Sequence, residues 1–515
     1  MTDTKRYKTL IRATLVQTTA LSIGGNDPHA MADAPLARDG QDRLILRGTG
    51  LAGAFIATAR AIVGDALPPS VTAGSPDEQH SDRRALPRGT HQDRLFESVW
   101  RFYHSHLEGP PPRPEIRTGV GIRQDTGAAA HGTKFDTETI PAGTRWPFLL
   151  EIDEYRDTSN GLALSIALHT LDEWQQQHRC FVGRDVARGL GWCLLTDVLV
   201  YRLLPEDVRH WPNAEEEPLK AIEKIPAERI QSDGGAALKS ECPITTRPRF
   251  IRSGTGSIHI GTERIGSGTD TPWGLDTLSL GGGEAMLRMQ DDALNSAFAQ
   301  LPTGKDGQPP EPDLILAWTC PRDGAAGAPR PFLPGSGLRG PLRHTLAWWE
   351  RRRGDHTIID PNTPAGLHSA RAKDRAAPDS AVDRLFGTAR YSAALLLSDA
   401  EVLGEDPTRT GGAWLIEQHA EDEFTASTCG AQKFNRLALI KGVFRFHYFI
   451  EARNADELAD FDRLLDTLRQ LGEQRQVPIG GGQWRGHGWV RWEWQPDACP
   501  DAAAGADDQT DGVTP

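Results

Sequence analysis

Two segments of the sequence place glycines at a spacing that suits anion binding. The pattern G-x-G-x-x-G occurs at 48–53 and again at 335–340. Glycines let a backbone approach a ligand closely, and the free N–H groups at a helix start point towards an anion. Such a turn can hold the phosphate of a nucleotide cofactor or a phosphate of a nucleic-acid backbone.

The sequence around these turns disfavours a nucleotide-cofactor enzyme. Pro331 and Pro334 precede the second turn, and a central parallel strand does not tolerate proline. Neither turn is followed by a strand that ends in an acid about twenty residues later. A purely structural turn and a site for a nucleic-acid phosphate therefore stay open, and a nucleotide cofactor is disfavoured. The residues that could contact such an anion are Arg47, Gly48, Thr49, Gly50 and Arg60 at the first turn, and Ser336, Arg339 and Arg343 at the second.

Both turns belong to a tandem duplication of the chain. Other blocks recur in the same order in both halves, namely 93–96 with 383–386, 146–152 with 444–450 and 188–192 with 485–489. Upstream, Ile23-Gly24 matches Ile260-Gly261 at a shorter offset, so the second copy is expected to carry an insertion at 278–331. The predicted divisions are a first domain at 1–205, a linker at 206–248, a second domain at 249–495 and a disordered acidic tail at 496–515.

Both strands and helices must position the two turns. Apolar and polar residues alternate at 11–15, 146–152 and 444–450, which predicts half-buried strands. Apolar residues follow helical spacing at 51–59 and at 458–468. The predicted class is α+β, with helices packed on one face of a sheet in each copy. Trp348 and Trp349 follow the second turn, where core packing is favoured over base stacking.

Composition excludes several classes of protein. The chain has 515 residues, of which 38% are hydrophobic, and its net charge of −13 excludes a non-specific basic nucleic-acid binder. A local arginine surface stays compatible with that charge. The six cysteines form no C-x-x-C pair, which argues against a zinc knuckle. Because no apolar run is long enough to span a bilayer, we expect a cytoplasmic protein with no membrane contact.

Several of these blocks resemble the RAMP superfamily. Residues 332–343 are similar to the PGSSLKGxLR signature of RAMP proteins, and in particular of Cas-seven-type backbone subunits of type III CRISPR effector complexes. The other similar blocks are 383–389 with 397–400, 121–129 with 135–144, and the glycine-rich loops 188–192 and 485–489. Two fused copies resemble the double backbone subunit of type III-D systems. The first copy departs from the signature, because Arg47 replaces its proline and Ala52 stands where a basic residue is usual.

The resemblance implies a fold and a set of partners. It implies a ferredoxin-like (RRM-like) core in each domain, a palm that binds guide RNA, and a thumb-like insertion that enters the guide–target duplex. The implied partners are guide RNA, complementary target RNA and other subunits of a type III effector complex. Further residues expected to bind RNA are Arg123, Lys134, Arg184, Arg188, Lys433, Arg436 and Arg485.

The resemblance also implies an endoribonuclease site. In catalytic members an aspartate between the first strand and the glycine signature serves metal-dependent cleavage of target RNA. Asp33 stands at that position, and Asp270 and Asp276 compete for it in the second copy. A carboxylate there can accept the proton of the RNA 2′-hydroxyl or hold a hydrated divalent ion, Mg²⁺ or Mn²⁺, with Asp33 and Asp270 as expected ligands. A scaffold of the same fold with no cleavage is the alternative.

Overall fold

A computed structural model describes most of both halves of the chain. The described residues are 8–25, 32–71, 98–107, 111–112, 114–123, 129–157, 159, 161–208, 222, 225, 229–231, 243–261, 318–319, 330–359, 377–388, 391–421 and 428–497. Asp270, Asp276 and the chain from 498 onwards lie outside them. Most of the predicted insertion also lies outside, and Lys433 is described for its backbone alone.

The first copy contains ten strands and three helices within the described residues. They are β1 (Lys8–Gln17), β2 (Ile45–Leu46), α1 (Gly48–Val63), β3 (Trp100–Phe102), β4 (Ser105–His106), β5 (Glu115–Gly119), β6 (Phe135–Thr139), β7 (Arg145–Asp153), α2 (Leu162–Gln175), β8 (Cys180–Phe181), β9 (Trp192–Leu203), α3 (Pro205–Val208) and β10 (Ile230–Gln231). β10 and the buried Ile222 fall within the predicted linker, and α3 lies across its start.

The described part of the second copy repeats this order. Its elements are β11 (Phe250–Ile260), β12 (Trp318–Thr319), β13 (Arg330–Leu333), α4 (Gly335–Arg352), α5 (Ala381–Phe386), β14 (Leu395–Leu397), β15 (Ala400–Val402), β16 (Ala413–Glu421), β17 (Thr428–Leu439), β18 (Gly442–Ala452), α6 (Ala455–Glu473) and β19 (Arg491–Pro496). Residues 330–331, at the end of the predicted insertion, belong to β13 and pair into the sheet region.

Each copy has one main antiparallel sheet of the same strand order. In the first, β9, β1, β7 and β3 lie side by side, with α1 between β1 and β3 in sequence and α2 between β7 and β9. In the second, β19, β11, β18 and β14 take those places, with α4 and α6 as the helices. The predicted α+β class and the predicted duplication are both confirmed.

The helices pack on one face of each sheet, as their apolar spacing predicts. In the first copy Leu51, Phe55 and Ala59 of α1 are fully buried against Phe148 and Leu150 of β7. In the second copy the apolar stripe of α6, including Phe461, Leu464 and Leu468, is fully buried with Phe446 of β18. Burial of a side chain of this size contributes about 1.5–3 kcal/mol, so these stripes fix the helices on the sheets.

The strand register corrects one sequence match. Leu15 pairs with Trp146 in the first copy, and Ile258 pairs with Phe444 in the second. Since Trp146 and Phe444 are equivalent, Ile258 is the counterpart of Leu15, and Ile260 falls at the end of the strand, where the first copy has Gln17. The match of Ile23-Gly24 to Ile260-Gly261 is therefore wrong, because a short apolar-glycine pair recurs too easily to fix a register.

A two-stranded hairpin extends from each copy at the same point of the chain. β5 and β6 form one hairpin between β4 and β7, and β16 and β17 form the other between β15 and β18. Neither hairpin belongs to a main sheet. In the described part of the chain, no helix combines the length and the apolar character needed to cross a membrane.

The two copies contact each other through charged and aromatic side chains. Arg249 binds Glu173 of α2 and Glu451 of β18, each with an N–O distance of 2.9 Å. His178 stacks on His447 with 3.6 Å between ring centroids. These contacts hold the two sheets next to each other.

Candidate RNA-binding interface

The first glycine of each turn begins a helix and lies against another backbone. Gly48 begins α1, its N–H donates to Nδ1 of His104 at 3.0 Å, and a Cβ there would strike the carbonyl oxygen of Phe102. Gly335 begins α4, and a Cβ there would lie 2.8 Å from the carbonyl oxygen of Arg188. These two positions require glycine because of close packing, whatever else the turns do.

Three of the remaining glycines face open space. A Cβ placed on Gly50, Gly53 or Gly340 would meet no atom within 4 Å. Arg47, Thr49 and Gly50 are exposed around the first turn. Neither α1 nor α4 has a side-chain cap on its N-terminal residue or an acid within its first turn. The positive end of the α1 dipole is therefore accessible to an anion from solvent.

Gly335, the first residue of α4, is covered by the first copy. The Gly335 N–H donates to Oδ1 of Asp399 at 2.9 Å, and Oδ2 of Asp399 pairs with Arg117 of β5 at 2.7 Å. Gly189 forms a parallel bridge with Ser398. The glycine-rich loop and the hairpin of the first copy thus pack on the second turn. Within the described residues, no equivalent segment packs on the first turn.

Two arginines expected to contact phosphate have partners within the protein. Arg343 pairs with Oδ1 of Asp383 at 2.6 Å, and Asp383 is fully buried. Arg339 donates to the carbonyl oxygens of Ala187, Leu395 and Phe386. Burial, helped by the charges of Arg188 and Arg343, lowers the pKa of Arg339 to about 9. Guanidinium groups that satisfy carbonyls and a carboxylate in this way hold the fold together, and the phosphate contact expected of both residues stays a prediction.

The other predicted residues divide into those near a turn and those far from it. Ser336 is exposed in the first turn of α4, and Arg188 is exposed next to it, 5.9 Å from the centroid of Phe135. Arg60 lies in the last turn of α1, so it does not join the first glycine turn. Arg184 lies against Gly24, at the entry to the loop that carries Asp33.

Asp33 lies beside the first hairpin. Its Oδ2 accepts the backbone N–H of Asp136 at 2.9 Å, and the next residue, Ala34, bridges to Thr137 of β6. Oε2 of Glu138 accepts the N–H of Leu36 at 2.9 Å, so the loop is tied to the hairpin on both sides of Pro35. Asp33 is exposed, which leaves it accessible to a large substrate.

The donor set around Asp33 is small. Within the described residues, no group of three or more His, Cys, Asp or Glu side chains could hold a metal ion. Mg²⁺ commonly binds through one or two carboxylates and completes its shell with water and substrate phosphate. The exposed carboxylate of Asp33 therefore fits a hydrated divalent ion when RNA phosphate supplies further ligands, and does not form a protein-only metal site.

Positive charge accompanies both hairpins. Lys134 and Arg123 are exposed on the first. At the second, Arg436 is buried near Arg485 and His487; burial and the charge of Arg485 lower the pKa of Arg436. Burial is the largest cause that lowers the pKa of His487, and the charges of Arg436 and Arg485 lower it further. Cations held this close favour an anion beside them.

Sequence reasoning missed the groups that distinguish the two turns. His104, Asp399 and Arg117 carried no assigned role, although Asp399 lies in a block that repeats the family pattern. The strand register makes Asp399 the counterpart of His104, since Trp100 pairs with Ile152 and Leu395 with Ile450. Their shared signal is a polar residue at the second position after the second strand of the core.

Comparison with known proteins identifies the duplicated unit. The model of the RAMP superfamily matches residues 14–194 and 324–491, which together exceed half of the chain. No curated protein matches the sequence.

Proposed function

This chain belongs to the RAMP superfamily, with two RAMP regions in tandem, and from that premise we propose that it is a guide-RNA-binding backbone subunit of a type III CRISPR effector complex. RAMP proteins bind guide RNA in CRISPR complexes. The observation that carries the proposal is the open glycine turn at the start of α1. The fused pair of RAMP regions favours the type III-D arrangement among type III systems.

The proposed core of each copy is ferredoxin-like. Its support is the order strand, helix, strand, strand, helix, strand along the chain, with the first and third strands central in an antiparallel sheet. The hairpins β5–β6 and β16–β17 are the proposed thumbs, because they leave the core at equivalent points and lie outside both main sheets. The exposed Lys134 and Arg123 would contact RNA phosphates along the first thumb.

In the first copy, a guide phosphate would bind at Arg47, Thr49 and Gly50. The backbone there is open and the helix dipole favours negative charge. In the second copy the corresponding contact would use Ser336 and Arg188, which are exposed at the start of α4. Arg339 and Arg343 are left out of this interface because their partners lie within the protein.

Gly50→Asp tests the first contact. The position has room for a side chain, and an acid in a first turn suits the helix, so the fold should persist. Repulsion of a phosphate at this point costs several kcal/mol, so RNA affinity should fall more than tenfold. Gly40→Asp, at another exposed glycine with open space, is the matched control. Equal RNA retention by the two variants would show that guide RNA does not bind at this turn.

Cleavage of target RNA is proposed at Asp33. The RNA 2′-oxygen would attack the neighbouring phosphorus while the 5′-oxygen leaves, giving a 2′,3′-cyclic phosphate and a 5′-hydroxyl. Asp33 would accept the 2′-hydroxyl proton or hold a hydrated Mg²⁺ or Mn²⁺ ion, and the amide of Asp136 orients its carboxylate. A bound divalent ion would offset charge that develops on the phosphate.

Asp33→Asn is the sharpest test of cleavage. The amide keeps an oxygen for the Asp136 N–H and loses the charge, so one cut should disappear while RNA binding stays unchanged. Asp136→Asn is the control for a nearby carboxylate. Chelation should suppress cleavage, and a single 2′-deoxy nucleotide at the cut site should abolish it there. Persistence of every cut in Asp33→Asn would leave the non-catalytic scaffold as the function of the first copy.

The second copy offers two candidates for an equivalent cut. The strand register makes Ile258 the counterpart of Leu15 and does not extend into the loop beyond the strand, whereas Asp270 shares the Asp-x-Pro pattern of Asp33. We therefore test Asp270→Asn first and Asp276→Asn second. A second cut that survives both changes would assign scaffold function to this copy.

The nucleotide-cofactor alternative makes a different prediction for the purified chain. RNA that co-purifies supports the proposed function, and a bound dinucleotide supports the alternative.

The proposed neighbours are other subunits of the effector complex. Arg485 and Gly486 repeat the loop that packs on Asp399, and a Cβ on Gly486 would meet no atom within 4 Å. This open loop is the proposed end at which a neighbouring subunit packs.

A further inference from the structure

Trp348 of α4 is exposed, whereas the other large hydrophobic side chains of this helix pack against the core. Sequence spacing favoured core packing for both tryptophans, and Trp349 does pack against the core. Trp348 is 49% exposed, and the guanidinium carbon of Arg352 lies 3.9 Å from its ring centroid. A tryptophan under a guanidinium is an aromatic platform with a cation attached.

The surroundings of this platform are basic rather than apolar. Arg351, Arg352 and Arg353 follow in sequence at the end of α4. Arg353 pairs with Glu350 at 3.0 Å, and Arg463 binds the same carboxylate, so the nearest acid is already neutralised. Such arginines suit the negative end of the helix dipole, but that role does not require an exposed tryptophan.

The first copy shows that the fold does not need this platform. Counting from Gly48 and Gly335, the counterparts of Trp348 and Arg352 are Ala61 and Asp65. There the helix end is covered by Arg247, whose Nε donates to the carbonyl oxygen of Ala61 at 2.7 Å and whose N–H donates to Ile62 at 2.9 Å. The second copy thus has an aromatic ring and a cation where the first has a small residue and an acid.

We propose that Trp348 and Arg352 form a binding site for one nucleotide of a single-stranded nucleic acid. The base stacks on Trp348, and Arg352 binds the adjoining phosphate. Trp348 is the only large hydrophobic side chain of α4 that is exposed, and a protein interface needs a wider apolar centre than one ring. A single base needs one ring and one cation.

This site is separate from the glycine turn of the same helix. Trp348 follows Gly335 by thirteen residues, so the two lie about 20 Å apart along α4. The inference rests on the proposed RNA-binding function and adds a second point of contact to it. The contact is not specific for sequence, because every base has a face that can stack.

The test uses the full chain, freed of co-purified RNA, and a twelve-nucleotide oligouridylate that contains 4-thiouridine. Light should crosslink the oligonucleotide to the tryptic peptide 344–351, which carries Trp348. Loss of a stacking contact should weaken binding about 5- to 150-fold in Trp348→Ala, while Trp348→Phe keeps most of the affinity. Arg352→Gln should lower the slope of log affinity against log salt by about 0.7.

The matched control is Tyr155→Ala, which removes another exposed aromatic ring, 68% exposed, in the first copy. It should leave affinity and crosslinking at 344–351 unchanged. The inference is overturned if Trp348→Ala binds as tightly as Tyr155→Ala. It is also overturned if peptide 344–351 is not crosslinked, or if Trp348→Ala changes only the association of the chain with protein. Failure of the unaltered chain to bind RNA at all would instead refute the proposed function.

Discussion

The two glycine turns share a backbone and differ in what faces their first N–H group. At Gly48 the acceptor is the imidazole of His104, and at Gly335 it is the carboxylate of Asp399. Asp399 also pairs with Arg117 from the other copy. The comparison shows that the second turn is an internal contact between the two copies, where a carboxylate requires a cation as its partner. The other turn leaves the positive end of its helix open to solvent.

The cores beneath the turns diverge in a similar way. Phe55 of α1 lies in a group of aromatic rings, 5.3 Å from Trp100 and 5.1 Å from Trp174 between centroids. Leu342 is the counterpart of Phe55 in α4, and that copy fixes the helix with the buried pair Arg343–Asp383. One copy holds its first helix by aromatic packing, and the other adds a buried ion pair.

Arg343→Ala should have the largest effect on this contrast. It leaves Asp383 fully buried without its cation, so the free energy of unfolding should fall by about 3–5 kcal/mol. Arg60→Ala, on the exposed last turn of α1, should change it by less than about 0.5 kcal/mol. Urea denaturation of both variants measures the difference. Similar losses would show that Arg343 does not stabilise the second copy through Asp383.

Asp399→Ala and His104→Ala directly compare the two side chains that accept the first N–H group of each turn. The first removes charged partners from Arg117 and Gly335 and should cost about 2–3 kcal/mol. The second removes one neutral hydrogen bond to Gly48 and should cost about 1 kcal/mol. Denaturant midpoints at neutral pH provide the measurement. If the His104 variant lost as much as the Asp399 variant, the contrast between an internal contact and an open turn would be wrong.

Phe55→Leu places the residue of the second copy in the first. The smaller side chain loses contacts with several rings, and the expected cost is about 1–2 kcal/mol. Leu342→Phe, the reverse exchange, should cost a similar amount because it overfills the other core. Thermal and urea unfolding of both variants, each against the unaltered chain, measure the two costs. Neutral behaviour in both exchanges would show that the two cores are interchangeable.

His487→Leu should produce the smallest effect, and only at acidic pH. Leu190 occupies the corresponding place in the first copy and is buried. Since burial and two arginines lower the pKa of His487 in the folded chain, the unfolded chain binds the proton more tightly. Stability should therefore fall as pH decreases through about 6.5, the ordinary value for histidine, and the leucine variant should lack this contribution.

Unfolding free energies of the two proteins between pH 8 and 5.5 provide the check. The difference between them should grow in favour of the variant as the pH falls. A constant difference over this range would mean that His487 is not the group that titrates.

Local sequence patterns predicted the helices and strands. They predicted less about which residues surround each of these elements. The spacing of Phe461, Leu464 and Leu468 predicted a helix that the structure buries on a sheet. The glycines at 48 and 335 predicted tight helix starts. Ile23-Gly24 misled the alignment, because pairing between strands, and not similarity of two residues, sets the register. The catalytic assignment of Asp33, Asp270 and Asp276 stays a prediction.

The sequence by itself determined the duplication, the α+β class and the two glycine-led helices. Periodicity and backbone freedom are local properties, so they can be read from residues close together in the chain. The tertiary structure alone decided that Arg343 and Arg339 point inwards, that Arg117 meets Asp399 and that Trp348 is exposed. Those outcomes depend on groups that are distant in sequence, and the charge of an arginine does not specify which partner the packing brings to it.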